Sequence, residues 1–248
     1  MSGVALIDYG AGNLHSVHNA LKAAGAEGVV VTADPAVVLR ADRVVLPGVG
    51  AFGACASALR AVEGMVDALD RRVRGDGVPF LGICVGMQLM ADQGEELGTH
   101  EGLGWVPGTV RLLVPDRPET KIPHMGWNDV VPVTSHRLIA PGEAYFLHSF
   151  AFDGEAVIAT TDHGGPVTAA IGRDNLIGVQ FHPEKSQRYG LELLRRFLSW
   201  LNATLLLTVS RRKTLSVTFS DLSLFSDLTD GTKEIICGIV GVRVAISP

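Results

Sequence analysis

Phe80-Leu81-Gly82-Ile83-Cys84-Val85-Gly86-Met87-Gln88 decides how this chain is read. An apolar run leads into a cysteine with glycine two residues away on either side, and helical sequence follows. The pattern is that of a nucleophile at a sharp strand-to-helix turn. A side chain at the tip of such a turn sits on strained backbone. Its neighbours two positions away must be small, which Gly82 and Gly86 satisfy. The helix N-terminus sets unpaired N–H groups and a positive dipole beside the sulfur, favouring thiolate over thiol, and the Val85 N–H becomes an oxyanion donor. An isolated cysteine is more often a buried structural thiol. The paired glycines make that the weaker reading for Cys84, whereas Cys55, within a helical run, takes it.

Working outward, the first half alternates short apolar runs with amphipathic stretches. Val4–Ile7 reads as a buried strand broken at Asp8-Tyr9-Gly10, Leu14–Ala24 as a helix, and Gly28–Thr32 as a strand. Arg43–Leu46 is a strand stopped by Pro47-Gly48, Phe52–Arg74 one long helix or two, Pro79–Ile83 a strand, and Val85–Met90 the start of a helix. This alternation with short connections implies an α/β fold: an open, mostly parallel central sheet with helices on both faces. From about Gly104 to Phe181 the texture changes. Short segments at Gly108–Leu113, Asp129–Val133, Ala144–Phe150, Ala156–Thr161, Val167–Ile171 and Leu176–Phe181 are separated by Pro, Gly and Asp. They read as antiparallel additions to the central sheet. Leu191–Leu201 closes this region as an amphipathic helix.

Residues 1–202 therefore form one domain and 203–248 an extension of different composition, poor in Ala and rich in Ser and Thr. The extension reads as poorly packed; the sharper alternative is a hairpin of Thr214–Phe219 with Ile235–Ile246, turning at Asp230-Gly231-Thr232. Cys237 within it reads as an inert apolar residue.

Composition narrows the chemistry. Hydrophobic residues make up 47% of the 248 and charged residues 19%, ample for a packed core. A net charge of −5 leaves no basic excess for phosphates, so a nucleic-acid partner is not expected. Three scattered cysteines form no disulfide framework, which points to a reducing, cytoplasmic setting. No run is long and apolar enough for a membrane span. Gly10-Ala11-Gly12 has His15 where a dinucleotide loop needs its third glycine, and His15 and His18 lack a third ligand, so neither a nucleotide cofactor nor a metal is expected.

A thiol nucleophile needs a proton acceptor, and its leaving group needs a donor. With eight histidines in the chain, His alone means little. Gly178-Val179-Gln180-Phe181-His182-Pro183-Glu184 is more specific: along an extended chain, residues two apart share a side, so His182 and Glu184 can meet at a strand end. Pro183 stops further pairing there, and strand ends are where open α/β sheets place their sites. His182 then serves as base and acid, with Glu184 fixing its tautomer.

The order Cys84, His182, Glu184 does not fit the hydrolase order of nucleophile, acid, His. Gly-x-Cys-x-Gly-x-Gln followed far downstream by Phe-His-Pro-Glu resembles the class I glutamine amidotransferases. The resemblance implies Cys84 as nucleophile on the glutamine amide, His182 as base and acid, and Glu184 as orienter. Further segments are Ile7–Leu14, Leu46–Gly53, His124–Asn128, Tyr145–Phe150 and Phe181–Ser186. They are similar to one branch, the glutaminase subunits that feed a separate (β/α)8-barrel cyclase making imidazole glycerol phosphate in histidine biosynthesis. That resemblance runs from residue 7 to about 201. It implies that an amide around Val49 and Gly50 completes the oxyanion hole by a peptide flip. Gln88 and the His148-Ser149-Phe150 segment would contact glutamine, and Asn13, Trp127, Tyr145 and Lys185 would face the partner. Read without it, Pro47–Gly50 is an ordinary turn, Gln88 a helix-surface amide and Trp127 a core residue. Two other readings stand beside this one: a glutaminase of pyridoxal phosphate, anthranilate or guanylate synthesis, and a non-enzymatic member with an elbow cysteine.

Overall fold

The computed structural model describes residues 3–200 and the backbone of two short strands further on. The chain divides into two units, Met1–Leu206 and Leu207–Pro248. The first opens with β1 (Gly3–Ile7), α1 (Leu14–Ala23), β2 (Gly28–Thr32), α2 (Pro35–Val38), β3 (Arg43–Gly48), α3 (Phe52–Ala61) and α4 (Met65–Leu69), which runs on into a π-helical turn over Asp70–Gly75. Next come β4 (Phe80–Cys84), α5 (Val85–Gln88), β5 (Gln93–Gly94), β6 (His100–Glu101), β7 (Gly108–Leu112) and β8 (His124–Pro132). The unit ends with β9 (Gly142–His148), β10 (Phe150–Gly154), β11 (Val157–Asp162), β12 (Pro166–Arg173), β13 (Leu176–Val179), a 3-10 turn at Pro183–Lys185, and α6 (Gln187–Ser199).

Nine strands form one sheet in the order β2-β1-β3-β4-β13-β12-β11-β8-β9. From β2 to β13 every pairing is parallel; from β13 to β9 every pairing is antiparallel. Every residue of β3, β4 and β13 is buried, as expected where helices cover a parallel sheet on both faces and strands need no polar side. The helices fall into two groups, α1 packing with α6 and α2 to α5 packing among themselves. Phe52, Phe80, Phe146, Phe181 and Phe197 are fully buried around this frame. Among the described residues no helix is long and apolar enough to cross a membrane.

The structure differs from the sequence reading at several points. β3 does not stop before Pro47-Gly48: Pro47 pairs with Ile83 and Gly48 with Cys84. The Tyr9 hydroxyl, donating to the Pro47 carbonyl at 2.8 Å, helps hold this extension. Ala144–Phe150 is not one strand. The chain breaks at Ser149, and β10 leaves the large sheet to pair with β7 in a second sheet, β10-β7-β5-β6. The region after Gly104 thus serves two sheets. β8 is longer than Asp129–Val133, and α6 begins at Gln187, before Leu191. In the second unit, β14 (Glu234–Ile236) pairs antiparallel with β15 (Arg243–Ala245). Both strands fall within the expected Ile235–Ile246 arm or at its edge, while Thr214–Phe219, the proposed turn at 230–232 and Cys237 lie outside the described residues.

Candidate active site

The turn between β4 and α5 is as tight as its sequence demands. Cys84 has φ 55° and ψ −114°, a left-handed conformation that costs energy for any residue with a Cβ. The backbone pays this only because three glycines let chain segments touch. A Cβ at Gly86 would fall on the Leu46 carbonyl, one at Gly82 would sit 2.6 Å from the Gly86 oxygen, and one at Gly48 would sit 2.7 Å from the Gly86 nitrogen. β3, β4 and α5 therefore pack backbone against backbone, and the sulfur is fixed by parts that cannot easily shift. Cys84 is only 4% exposed, at the floor of a cavity.

His182 reaches the same floor from beyond the end of β13, the strand that pairs with β4. Its Nδ1 lies 2.9 Å from Glu184 Oε1, with both side chains almost fully buried. The contact does not come from extended chain, as the spacing alone implied. Pro183–Lys185 forms a 3-10 turn that folds the carboxylate back under the ring. Ser186 secures the turn, donating its hydroxyl to the His182 carbonyl at 2.6 Å and accepting from the Tyr145 N–H at 2.9 Å. Glu184 Oε2 is buried with no hydrogen-bond partner among the described residues, so the carboxylate depends on the imidazole. Burial alone would lower the His182 pKa, but hydrogen bonding and charge from Cys84 and Glu184 outweigh it and raise it to about 9. The ring is thus charged at neutral pH, ready to give a proton.

The cavity has a volume of about 220 Å³. Val49, Gly50, Cys84, Val85, Gln88, His148, Ser149, Phe150, His182 and Lys185 all line it, together with Glu96 and Leu147, which the sequence reading did not single out. Gln88 donates through Nε2 to the Phe150 carbonyl at 2.9 Å and to Gln180 Oε1 at 3.0 Å. Both of its amide protons are thereby used, which leaves an acceptor, Oε1, for a ligand. Glu96 accepts from the Phe52 N–H at 2.7 Å through Oε2. It adds a carboxylate to the wall, and no pattern in the surrounding loop marks it.

His148 donates through Nδ1 to the Phe150 carbonyl at 2.9 Å. A carbonyl can only accept, so His148 Nε2 carries no proton and accepts from His124 Nδ1 at 3.0 Å. His124 Nε2 then accepts from Asn128 Nδ2 at 3.1 Å. Burial holds both rings neutral, bringing His124 to about 3 and His148 to about 4. Two neutral imidazoles therefore buttress the cavity wall, and neither is poised as the base.

The Pro47–Gly50 loop is tied back by side chains at two of its carbonyls. Tyr9 holds Pro47, and the Cys55 thiol donates to the Val49 carbonyl at 3.3 Å. Gly50 has φ +99°, a conformation suited to glycine, and Val49 is exposed. Of the residues expected to face a partner, Trp127 is 48% exposed rather than in the core. Its ring meets that of Tyr145 edge to face at 6.2 Å, and the Lys185 ammonium lies 5.7 Å from the Tyr145 ring. Asn13 stands apart from the cavity at the start of α1, and its side chain makes no capping bond.

The chain is similar to known proteins over most of its length. A family model described as "Glutamine amidotransferase class-I" matches residues 5–200. The imidazole glycerol phosphate synthase subunit HisH of Zymomonas mobilis subsp. mobilis is 64% identical over 205 residues, covering 80% of this chain and 96% of that protein. The same-named subunit of Rhodopseudomonas palustris is 52% identical over 212 residues, covering 79% of this chain and 98% of that protein. A crystal structure of a glutamine amidotransferase superposes with a TM-score of 0.62 at 19% identity, over 79% of this chain and 98% of that one, a likeness of fold. A matched span that takes in the elbow cysteine, the His-Pro-Glu turn and nearly all of the parallel half of the sheet places this chain in the class-I glutamine amidotransferase family.

Proposed function

We propose that this chain hydrolyses L-glutamine to L-glutamate and ammonia and passes the ammonia to a cyclase subunit, as the glutaminase of imidazole glycerol phosphate synthase in histidine biosynthesis. The observation that carries the reading is the meeting of Cys84 and His182 at one cavity floor, with Glu184 buried against the His182 ring. The pathway comes from the two relatives above, both of them subunits of that synthase.

In this mechanism the Cys84 sulfur attacks the side-chain carbonyl of glutamine and forms a C–S bond. The carbonyl electron pair moves to oxygen, which the Val85 N–H and an N–H of Val49 or Gly50 stabilise. His182 gives its proton to the nitrogen, the C–N bond breaks, and ammonia leaves a thioester. Water then adds its oxygen to the thioester carbon while His182 takes its proton. The C–S bond breaks with its electron pair on sulfur, and glutamate departs. Glu184 holds His182 in one tautomer throughout. Glu96 and the free Oε1 of Gln88 suit the α-ammonium of the substrate, while the His148-Ser149-Phe150 backbone flanks it.

The partner we infer is a separate (β/α)8-barrel cyclase. Met125, Trp127 and Leu147 are exposed on the β8–β9 ribbon, with Met125 opposite Leu147 and Trp127 opposite Tyr145. Leu147 and Lys185 also line the cavity, so an apolar face borders the place where ammonia forms. Asn13 is assigned to the same interface on the strength of the resemblance, and residues 203–248 receive no role. Turning the Gly50 N–H into the cavity moves the Val49 carbonyl off Cys55, which gives the partner's ligand a bond to break when it switches the loop. Ammonia release measured with and without the cyclase and its nucleotide ligand tests this. Slow release alone and a large rise in the complex are expected; full-speed turnover of the isolated chain overturns the coupling, and no turnover in either state overturns the assignment.

A further inference from the structure

One polar side chain beside the nucleophile has no part in the mechanism above. Gln180 is completely buried between the end of β13 and Phe181. Its Nε2 lies 3.7 Å from the Cys84 sulfur, a hydrogen-bond contact to that atom. Which end of the amide faces the sulfur is settled by its neighbours. The Phe150 carbonyl can only accept, so Gln88 must turn Nε2 toward it. The same Nε2 then faces Gln180, so Gln180 must present Oε1 to Gln88 and Nε2 to sulfur. His148 adds a further bond to that Phe150 carbonyl, anchoring the point from which both orientations follow. A buried amide in an otherwise apolar strand run, with each end committed, is costly to leave unsatisfied.

We propose that Gln180 is a further catalytic residue: its side-chain N–H donates to the Cys84 sulfur and stabilises the charge there. The inference rests on the reading of Cys84 as nucleophile. A thiolate is a far better acceptor than a thiol or a thioester sulfur, so the bond strengthens when charge builds on the atom. That happens twice: before attack, and when the C–S bond of the thioester breaks and the electron pair returns to sulfur as water adds. Gln180 thus holds the free nucleophile in its reactive form and aids its departure, complementing His182, whose proton goes to ammonia.

The test is the pH dependence of Cys84 alkylation by iodoacetamide in the full chain, followed peptide by peptide to separate it from Cys55 and Cys237. Gln180→Met keeps the bulk and removes both the donor to sulfur and the acceptor for Gln88. It is expected to raise the midpoint by about one pH unit, the scale of a lost bond to a charged group, and to lower glutamine turnover about tenfold or more. Gln180→Glu keeps the acceptor for Gln88 and places oxygen against the sulfur, so its midpoint should rise further. A midpoint unchanged from that of the parent in Gln180→Met, or in Gln180→Glu should the first variant fail to fold, overturns the proposal. A parent in which Cys84 reacts no faster than Cys55, with no glutamine hydrolysis, instead overturns the nucleophile reading, and this proposal with it.

Discussion

The two halves of the nine-stranded sheet are built on different principles. In the parallel half, β3, β4 and β13 bury every residue, and their backbones approach through Gly48, Gly82 and Gly86. In the antiparallel half, β8 alternates buried and exposed positions and sends Met125, Trp127 and Val131 to solvent. The first half fixes a sulfur and an imidazole; the second offers a face. A buried parallel frame tolerates strain at Cys84 because its neighbours cannot move aside. A ribbon with one free face can carry large apolar side chains without disturbing the frame. Chemistry and recognition are thus divided between halves that share one sheet and meet at the cavity rim.

Cys84→Ala tests the chemical half most directly. Glutamine hydrolysis should fall at least about a thousandfold while the unfolding midpoint stays near that of the parent; residual turnover above that level would mean another nucleophile. Gly86→Ala tests the frame. With its Cβ on the Leu46 carbonyl, the variant should lose about 3 kcal/mol or more of stability by urea unfolding, and most of its activity with it. Glu184→Gln should lower turnover about a hundredfold and alter the pH dependence of folding. Because His182 is raised from 6.5 to about 9, its contribution is complete below pH 6.5 and lost as pH rises through 9. Parent stability should therefore fall across that window, by an amount on the order of 3 kcal/mol, and the variant's curve should be flatter; equal slopes would refute the coupling. Trp127→Ala should have the smallest effect on the chain itself, leaving the unfolding midpoint unchanged because the ring is half exposed. Its cost should appear in cyclase affinity, about 2 kcal/mol by titration calorimetry. A variant that binds normally would remove Trp127 from the interface.

The parallel half and the elbow could be read in advance because each depends on local rules. Continuous apolar runs mark doubly covered strands, and Gly82 and Gly86 flank Cys84 at the one spacing its turn allows. The antiparallel half was harder. The break at Ser149 that splits β9 from β10 has no breaker residue; it follows from β10 finding β7, a contact no local pattern encodes. The spacing of His182 and Glu184 implies a pair on extended chain, whereas a 3-10 turn brings the groups together. Gln180 did carry a signal, a lone amide between Val179 and Phe181, but its partners Gln88 and Cys84 lie far off in sequence. Glu96 sits in a short polar loop where a carboxylate is unremarkable until the fold turns it toward the cavity.

The 3-10 turn at Pro183–Lys185 has one more consequence. Acid and base are neighbours along a single short stretch, so their separation is set by covalent geometry and the bracing hydroxyl of Ser186. The sulfur belongs to a different strand, and its distance from the ring depends on how β4 lies beside β13. A variant that disturbed this strand register would separate sulfur from ring while leaving acid and base together. The buried, glycine-packed alignment of β4 with β13 is what keeps the trio assembled, whereas the charged couple carries its own alignment within one turn.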